Sequence, residues 1–253
     1  MAVHVFTTMG TTVSLRFAGT LPDPRLLRVV EAGFDAYDRR FSLYRPDSEL
    51  SRVARGDLAL HNSSAVLRDS YADALEWRSR TAGAFTPHRP DGVIDLNGIV
   101  KAAAMAAAAA RLDAAGETDW LLNVGGDILG RGDNAGAPWS IGISDPDDRT
   151  GLLCALTLDA GRTAVATSGT AERGEHVWRL HPQTPDSTAF RQVTVRAADI
   201  VTADVLATAI LAGGHDHLDD WAARYPIDVL TVAADGAITA TPGLQHTRGL
   251  APA

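Results

Sequence analysis

Asp204 and Thr208 stand four residues apart in the run Ala203-Asp204-Val205-Leu206-Ala207-Thr208. On a helix that spacing turns both side chains to one face, with Cβ atoms about 5–6 Å apart. A carboxylate and a hydroxyl are hard oxygen donors suited to Mg²⁺, which takes one or two carboxylates and completes its shell with water and phosphate oxygens. Val205, Leu206, Ala207, Ile210 and Leu211 make the setting apolar. The same spacing is also met by a solvated or capping aspartate with a threonine at the core edge.

Other stretches carry groups that suit an anionic ligand. Asn123-Val124-Gly125-Gly126-Asp127 ends a strand in a glycine pair, which either lets backbone N–H groups approach an anion or makes a turn with positive φ. Asp95-Leu96-Asn97-Gly98-Ile99-Val100-Lys101 leads into an alanine-rich segment. Asn97 and Gly98 read as helix-start residues, and a helix N-terminus seats phosphate. Lys101 in the first turn opposes the macrodipole's preference for acids there, as a functional lysine or a plain surface lysine would. Thr167-Ser168-Gly169-Thr170 reads as a small polar loop after a strand over residues 163–166, able to bond a ring edge or phosphate, or as an ordinary turn. His176 beyond it is a candidate base for an acceptor hydroxyl, or a structural histidine. His215 and His217 read as surface residues. Neither a G-x-G-x-x-G nor a Walker A sequence occurs.

Periodicity supplies the elements that must hold these groups. Residues 3–17 alternate around a Met9-Gly10-Thr11 break and predict two short strands or one bent strand. Pro22-Asp23-Pro24 opens a helix whose stripe is Leu26, Val30, Phe34, Tyr37 and Phe41. Ser63-Ser64 caps a second helix to about residue 80, and residues 98–115 form an alanine-rich third. Strands are expected over residues 120–124, 139–144, 152–158 and 191–196. Helices follow over residues 203–212 and 218–225, then strands 227–232 and 237–241 around Asp235-Gly236, a hairpin signal. An irregular tail follows Pro242. Without regular βαβ alternation the expected class is α+β, one compact domain over residues 1–253 that could divide into two lobes.

Composition narrows the partners. The 253 residues carry a formal charge of −8, which argues against nucleic-acid binding by bulk electrostatics and asks for a metal or placed basic residues if a polyanion is handled. Cys154 stands alone, so no intramolecular disulfide or thiol-zinc cluster can form, and its apolar surroundings predict a core residue. No secretory signal or membrane-length apolar run is read, and a cytoplasmic protein is expected.

Taken in order, these stretches resemble the ApbE family of FAD:protein FMN transferases along nearly the whole chain. The resemblance rests on Met9-Gly10-Thr11, Phe41-Ser42-Leu43-Tyr44 with Ser48-Glu49-Leu50-Ser51-Arg52, and Gly83-Ala84-Phe85-Thr86-Pro87. Asp95 to Lys101, Asn123 to Asp127, Thr167-Ser168-Gly169 and Ala203 to Thr208 continue it. It implies Mg²⁺ on Asp204, Thr208 and the main-chain carbonyl of Ala104. It implies FAD against Met9, Tyr44, Ala84, Phe85, Thr86, Lys101, Thr167, Ser168, Gly169 and His176, with His176 and Asp204 catalytic. FMN would pass to a threonine or serine of a partner flavoprotein, releasing AMP. The alternatives are hydrolysis of FAD to FMN and AMP, and a non-catalytic flavin-binding protein. Two departures stand out: Lys101-Ala102-Ala103-Ala104-Met105-Ala106-Ala107 replaces the family's Lys-Gly-(Tyr/Trp)-Ala-x-Asp. The stretch from His176 to Pro185 lacks the aspartate and the final glycine of His-Ile-x-Asp-Pro-x-Thr-Gly.

Overall fold

The computed structural model describes residues 1–148, 150–169 and 190–244. Strands β1 (Ala2–Thr8) and β2 (Thr11–Phe17) pair antiparallel across a two-residue turn, Met9-Gly10. Both turn residues have positive φ, 49° and 70°, the arrangement whose twist matches that of flanking strands. The hairpin opens an eight-stranded antiparallel sheet in the order β1-β2-β3-β4-β7-β8-β9-β10. Its further members are β3 (Trp120–Val124), β4 (Asp127–Arg131), β7 (Ala164–Gly169), β8 (Phe190–Ala197), β9 (Asp228–Ala233) and β10 (Ile238–Ala240). A separate pair, β5 (Ser140–Ser144) and β6 (Leu152–Thr157), lies between β4 and β7 in sequence.

Period-two alternation gives this sheet two apolar faces. Val13, Leu15, Phe17, Trp120, Leu122, Val124, Leu129, Ala164, Ala166, Val193 and Val195 enter the larger core with the helices. Leu121, Ile128, Val165 and Leu230 point the other way and meet Trp139, Ile141, Ile143, Cys154, Leu156 and Leu158. Cys154 is buried, as its neighbours suggest, and burial pushes its thiol above the ordinary value, so it is packing rather than a nucleophile.

The helical layer is α1 (Pro24–Phe41), α2 (Glu49–Ala54), α3 (Ala65–Arg80), α4 (Asn97–Ala114), α5 (Ile200–Gly213) and α6 (His215–Arg224). Asp23 caps α1 and Ser64 caps α3, satisfying N–H groups that a helix start leaves orphaned. In α1, Leu27, Val30, Phe34 and Phe41 are buried. α5 is apolar nearly all round, the mark of a buried helix, and it packs on β7, β8 and α4, while α4 also packs on α1. An α+β arrangement results, as expected.

Three readings change. Thr167, Ser168 and Gly169 are the end of strand β7 rather than a loop, because β8 continues the ladder opposite them. α4 starts at Asn97, with Leu96 in the cap position and no side-chain cap. Strand β4 and helix α2, five and six residues long, are too short to give a periodic signal of their own and add to the expected elements.

Gly125 fixes how the two hairpin tips meet. Its φ is +57°, and a Cβ there would lie 2.6 Å from Thr11 Oγ1. Gly125→Ala should therefore lower stability by about 1–3 kcal/mol, through left-handed strain and overpacking together. Urea denaturation measures this, and an unchanged midpoint would show that the tips are not held by this contact.

Candidate functional site

Where the two hairpin tips, the N-terminal end of α4 and the middle of α5 converge, they enclose a half-open cavity of about 1090 Å³. That is slightly above the roughly 300–1,000 Å³ usual for small-molecule sites. Met9, Tyr44, Ala84, Phe85, Thr86, Lys101, Thr167, Ser168, Gly169, Asp204 and Thr208 all line it. They come from a turn, two loop segments, two helices and a strand, so the fold gathers residues spread over two hundred positions.

The floor is ionic. Lys101 is 7% exposed, and its ammonium pairs with the carboxylate of Asp127, which is 1% exposed. The same Nζ lies 3.8 Å from Asp204 Oδ1. Asp127 Oδ1 accepts the Thr167 N–H at 3.2 Å, which locks the end of β7 to the start of β4. A buried ammonium without an anion would cost several kcal/mol, so this contact dictates where α4 can sit. The lysine that violates the macrodipole rule at the start of α4 is held by this pair instead of by solvent.

One turn along α5 from Asp204, Thr208 is half-buried, and its hydroxyl is 3.2 Å from Ser168 Oγ. Thr167 Oγ1 in turn lies 2.9 Å from Thr194 Oγ1, on fully buried Thr194. Both donors of the Asp204/Thr208 pair thus face the cavity from one helix side, as the i, i+4 spacing requires. Among the described residues no cluster of three or more His, Cys, Asp or Glu side chains is placed to hold a metal.

The remaining expected residues stand as follows. Ala104, expected to contribute its main-chain carbonyl, is 2% exposed on α4 one turn beyond Val100, which lines the cavity. The glycine pair is not a free anion cradle, because the Gly125 N–H donates to Thr12 O at 3.2 Å and the Gly126 N–H to Asn123 Oδ1 at 3.0 Å. The first N–H of α4 is also engaged, with Asn97 donating to Asp95 Oδ1 at 2.9 Å. His176 and Thr170 lie outside the described residues.

Sequence reasoning did not single out Asp38 and Arg45, which line the cavity and pair at 3.3 Å, nor Asp127 as the partner of Lys101. The described lining carries two basic side chains, Arg45 and Lys101, against three acidic ones, Asp38, Asp95 and Asp204. Such a lining receives a polyanion only together with a cation. Tyr44 is 78% exposed at the rim, and its ring offers a flat apolar surface to an aromatic ligand.

A model of the ApbE family matches residues 9–89 and 87–231. An FAD:protein FMN transferase of Rhodobacter capsulatus is 30% identical over 240 residues, covering 88% of this chain and 45% of that protein. The enzyme of the same name from Salmonella typhimurium is 28% identical over 158 residues, 58% of this chain and 44% of that one. The chain thus spans about half the length of the curated relatives it matches. The apo flavinyl transferase ApbE of Pseudomonas stutzeri superposes with a TM-score of 0.76 at 25% identity, covering 99% of this chain and 98% of that one. The apbe protein of Thermotoga maritima has the same fold, with a TM-score of 0.77 at 21% identity over 96% and 97% of the two chains. A match to the family model over most of its length, carried by the segments that build the cavity, makes this chain a member of the ApbE family.

Proposed function

We propose that this chain binds FAD with Mg²⁺ in the cavity and transfers the FMN half to a serine or threonine hydroxyl of a partner flavoprotein, releasing AMP. The observation that carries this reading is the convergence of Asp204, Thr208 and the Lys101–Asp127 pair in one dinucleotide-sized cavity. The names borne by the relatives support it. In the reaction the acceptor oxygen bonds to the FMN phosphorus and the anhydride P–O bond breaks. AMP leaves with the bonding pair, and the hydroxyl proton passes to solvent or a base. Mg²⁺ held by Asp204 and Thr208 would neutralise charge on the pyrophosphate as it is cleaved.

The chain's own residues do the positioning. Lys101 keeps Asp127 and the end of β7 in place, and it lies near enough to Asp204 to hold that carboxylate at the cavity floor. The main-chain carbonyl of Ala104, one turn beyond the cavity-lining Val100 on α4, would serve as a third metal ligand. Ser168 presents a short hydroxyl beside Thr208, suited to a phosphate or a ring edge, while the Thr167 hydroxyl pairs with Thr194. Tyr44 and Phe85 supply aromatic walls for the flavin or the adenine.

Incubation of the purified protein with FAD, Mg²⁺ and a soluble protein extract supplying hydroxyl acceptors, followed by AMP measurement, tests this directly. Asp204→Ala should lower Mg²⁺-dependent AMP release by more than the roughly 10–100-fold typical of losing an outer-shell partner, with the urea midpoint close to wild type. Unchanged release would remove Asp204 from the mechanism. AMP release without any partner protein showing flavin fluorescence in a denaturing gel would indicate hydrolysis instead of transfer.

Asp127→Ala should behave in the opposite way. It leaves the Lys101 ammonium buried without its carboxylate and should destabilise the fold by about 3–5 kcal/mol, read as a lowered urea midpoint. Full stability would mean that Lys101 finds another anion in the folded chain.

A further inference from the structure

The sheet has two edges, and they are built differently. β10 is three residues long and is followed directly by a turn at Pro242, a short edge of the kind that resists further pairing. β1 is seven residues long, contains neither proline nor lysine, and runs without a bulge. Thr8 and Thr11 flank a two-residue turn and so form a hydrogen-bonded pair, which makes Phe6, His4 and Ala2 bond inward to β2. The N–H and C=O groups of Val3, Val5 and Thr7 then point away from the sheet. Val3 and Val5 are 43% and 57% exposed, and no strand among the described residues pairs with that side.

This edge leads into the cavity. The turn that ends β1, Met9-Gly10, lines the large cavity and also a shallower groove of about 490 Å³ that includes Thr7, Thr8 and Asp38. Thr7 therefore belongs both to the outward-facing edge and to the groove. A strand added beside β1 would lie about 4.8 Å from it and advance about 3.4 Å per residue towards that turn.

We propose that β1 is the docking edge for the acceptor: an extended polypeptide segment pairs with Val3, Val5 and Thr7 as a ninth strand and delivers its serine or threonine hydroxyl past Met9-Gly10. The partner is a polypeptide because the edge offers alternating backbone donors and acceptors, which only another backbone matches in register. Continuity of the edge with the groove and the cavity favours an acceptor over a second copy of this chain. The inference rests on the transferase reading above.

Proline at position 5 tests it, since the Val5 N–H lies outside the β1–β2 ladder and its loss spares that pairing. The protein and its V5P, V3P and V5A variants are incubated with FAD, Mg²⁺ and a soluble extract of the host lacking this gene. FAD affinity without extract, read from quenching of flavin fluorescence, and flavin fluorescence of denatured extract proteins are then compared. V5P and V3P should keep FAD affinity within about twofold and lose at least tenfold of the protein-bound flavin, whereas V5A keeps both. Labelling by both proline variants at the wild-type level overturns the proposal. So does loss of FAD binding in both, which would assign β1 to the cavity itself. A wild-type dimer that V5P converts to a monomer while labelling persists gives the edge to a second copy and also overturns it. No labelled protein with the wild type removes the transferase reading, and this inference with it.

Discussion

One buried ion pair organises the site. Lys101 reaches from the first turns of α4 to Asp127 at the start of β4, with Asp204 of α5 beside it. Burial of either charge alone would be prohibitive, whereas packing between methyl-lined helix faces fixes position only loosely. The pair thus supplies the register that the alanine-rich surface of α4 cannot. Once α4 is fixed against the β3–β4 turn, the α4–α5 contact carries Asp204 and Thr208 to the cavity floor, and the Asp127–Thr167 bond brings the end of β7 to meet them.

Around that floor the fold assigns separate tasks to its layers. The sheet's second face is occupied by the β5–β6 pair, so the helical face alone is left to build a ligand site. Two hairpin tips form one wall, and each depends on backbone of positive φ: Met9 and Gly10 in one, Gly125 and Gly126 in the other. Met9 is the costly member, because a side-chain-bearing residue in that region is strained and persists only where its surroundings demand it. Its place in the cavity lining accords with strain concentrated at a working surface.

Much of this was legible in the sequence where the signal is local. The burial of Val30, Phe34 and Phe41 in α1 follows from its stripe, although Leu27 is buried where the stripe predicts Leu26, and Leu26 and Tyr37 pack only partly against the core. The caps Asp23 and Ser64 follow from their chemistry, and the shared face of Asp204 and Thr208 from a four-residue step. Non-local features were not. Nothing in the neighbourhood of Lys101 points to a carboxylate twenty-six positions later, and Thr167-Ser168-Gly169 is polar enough to read as a loop until β8 is seen beside it. The family resemblance ordered the cavity segments correctly because it carries the tertiary information that periodicity lacks.

The most direct measurement is a crystal structure of the protein with FAD and Mn²⁺ as an anomalous stand-in for Mg²⁺. The expected result is an anomalous peak in coordination contact with Asp204 and Thr208, at a distance near the about 2.0–2.1 Å of Mg²⁺–oxygen bonds, with the pyrophosphate against it and the flavin between Tyr44 and the β7 end. A flavin seated elsewhere, or a peak remote from both side chains, would contradict it.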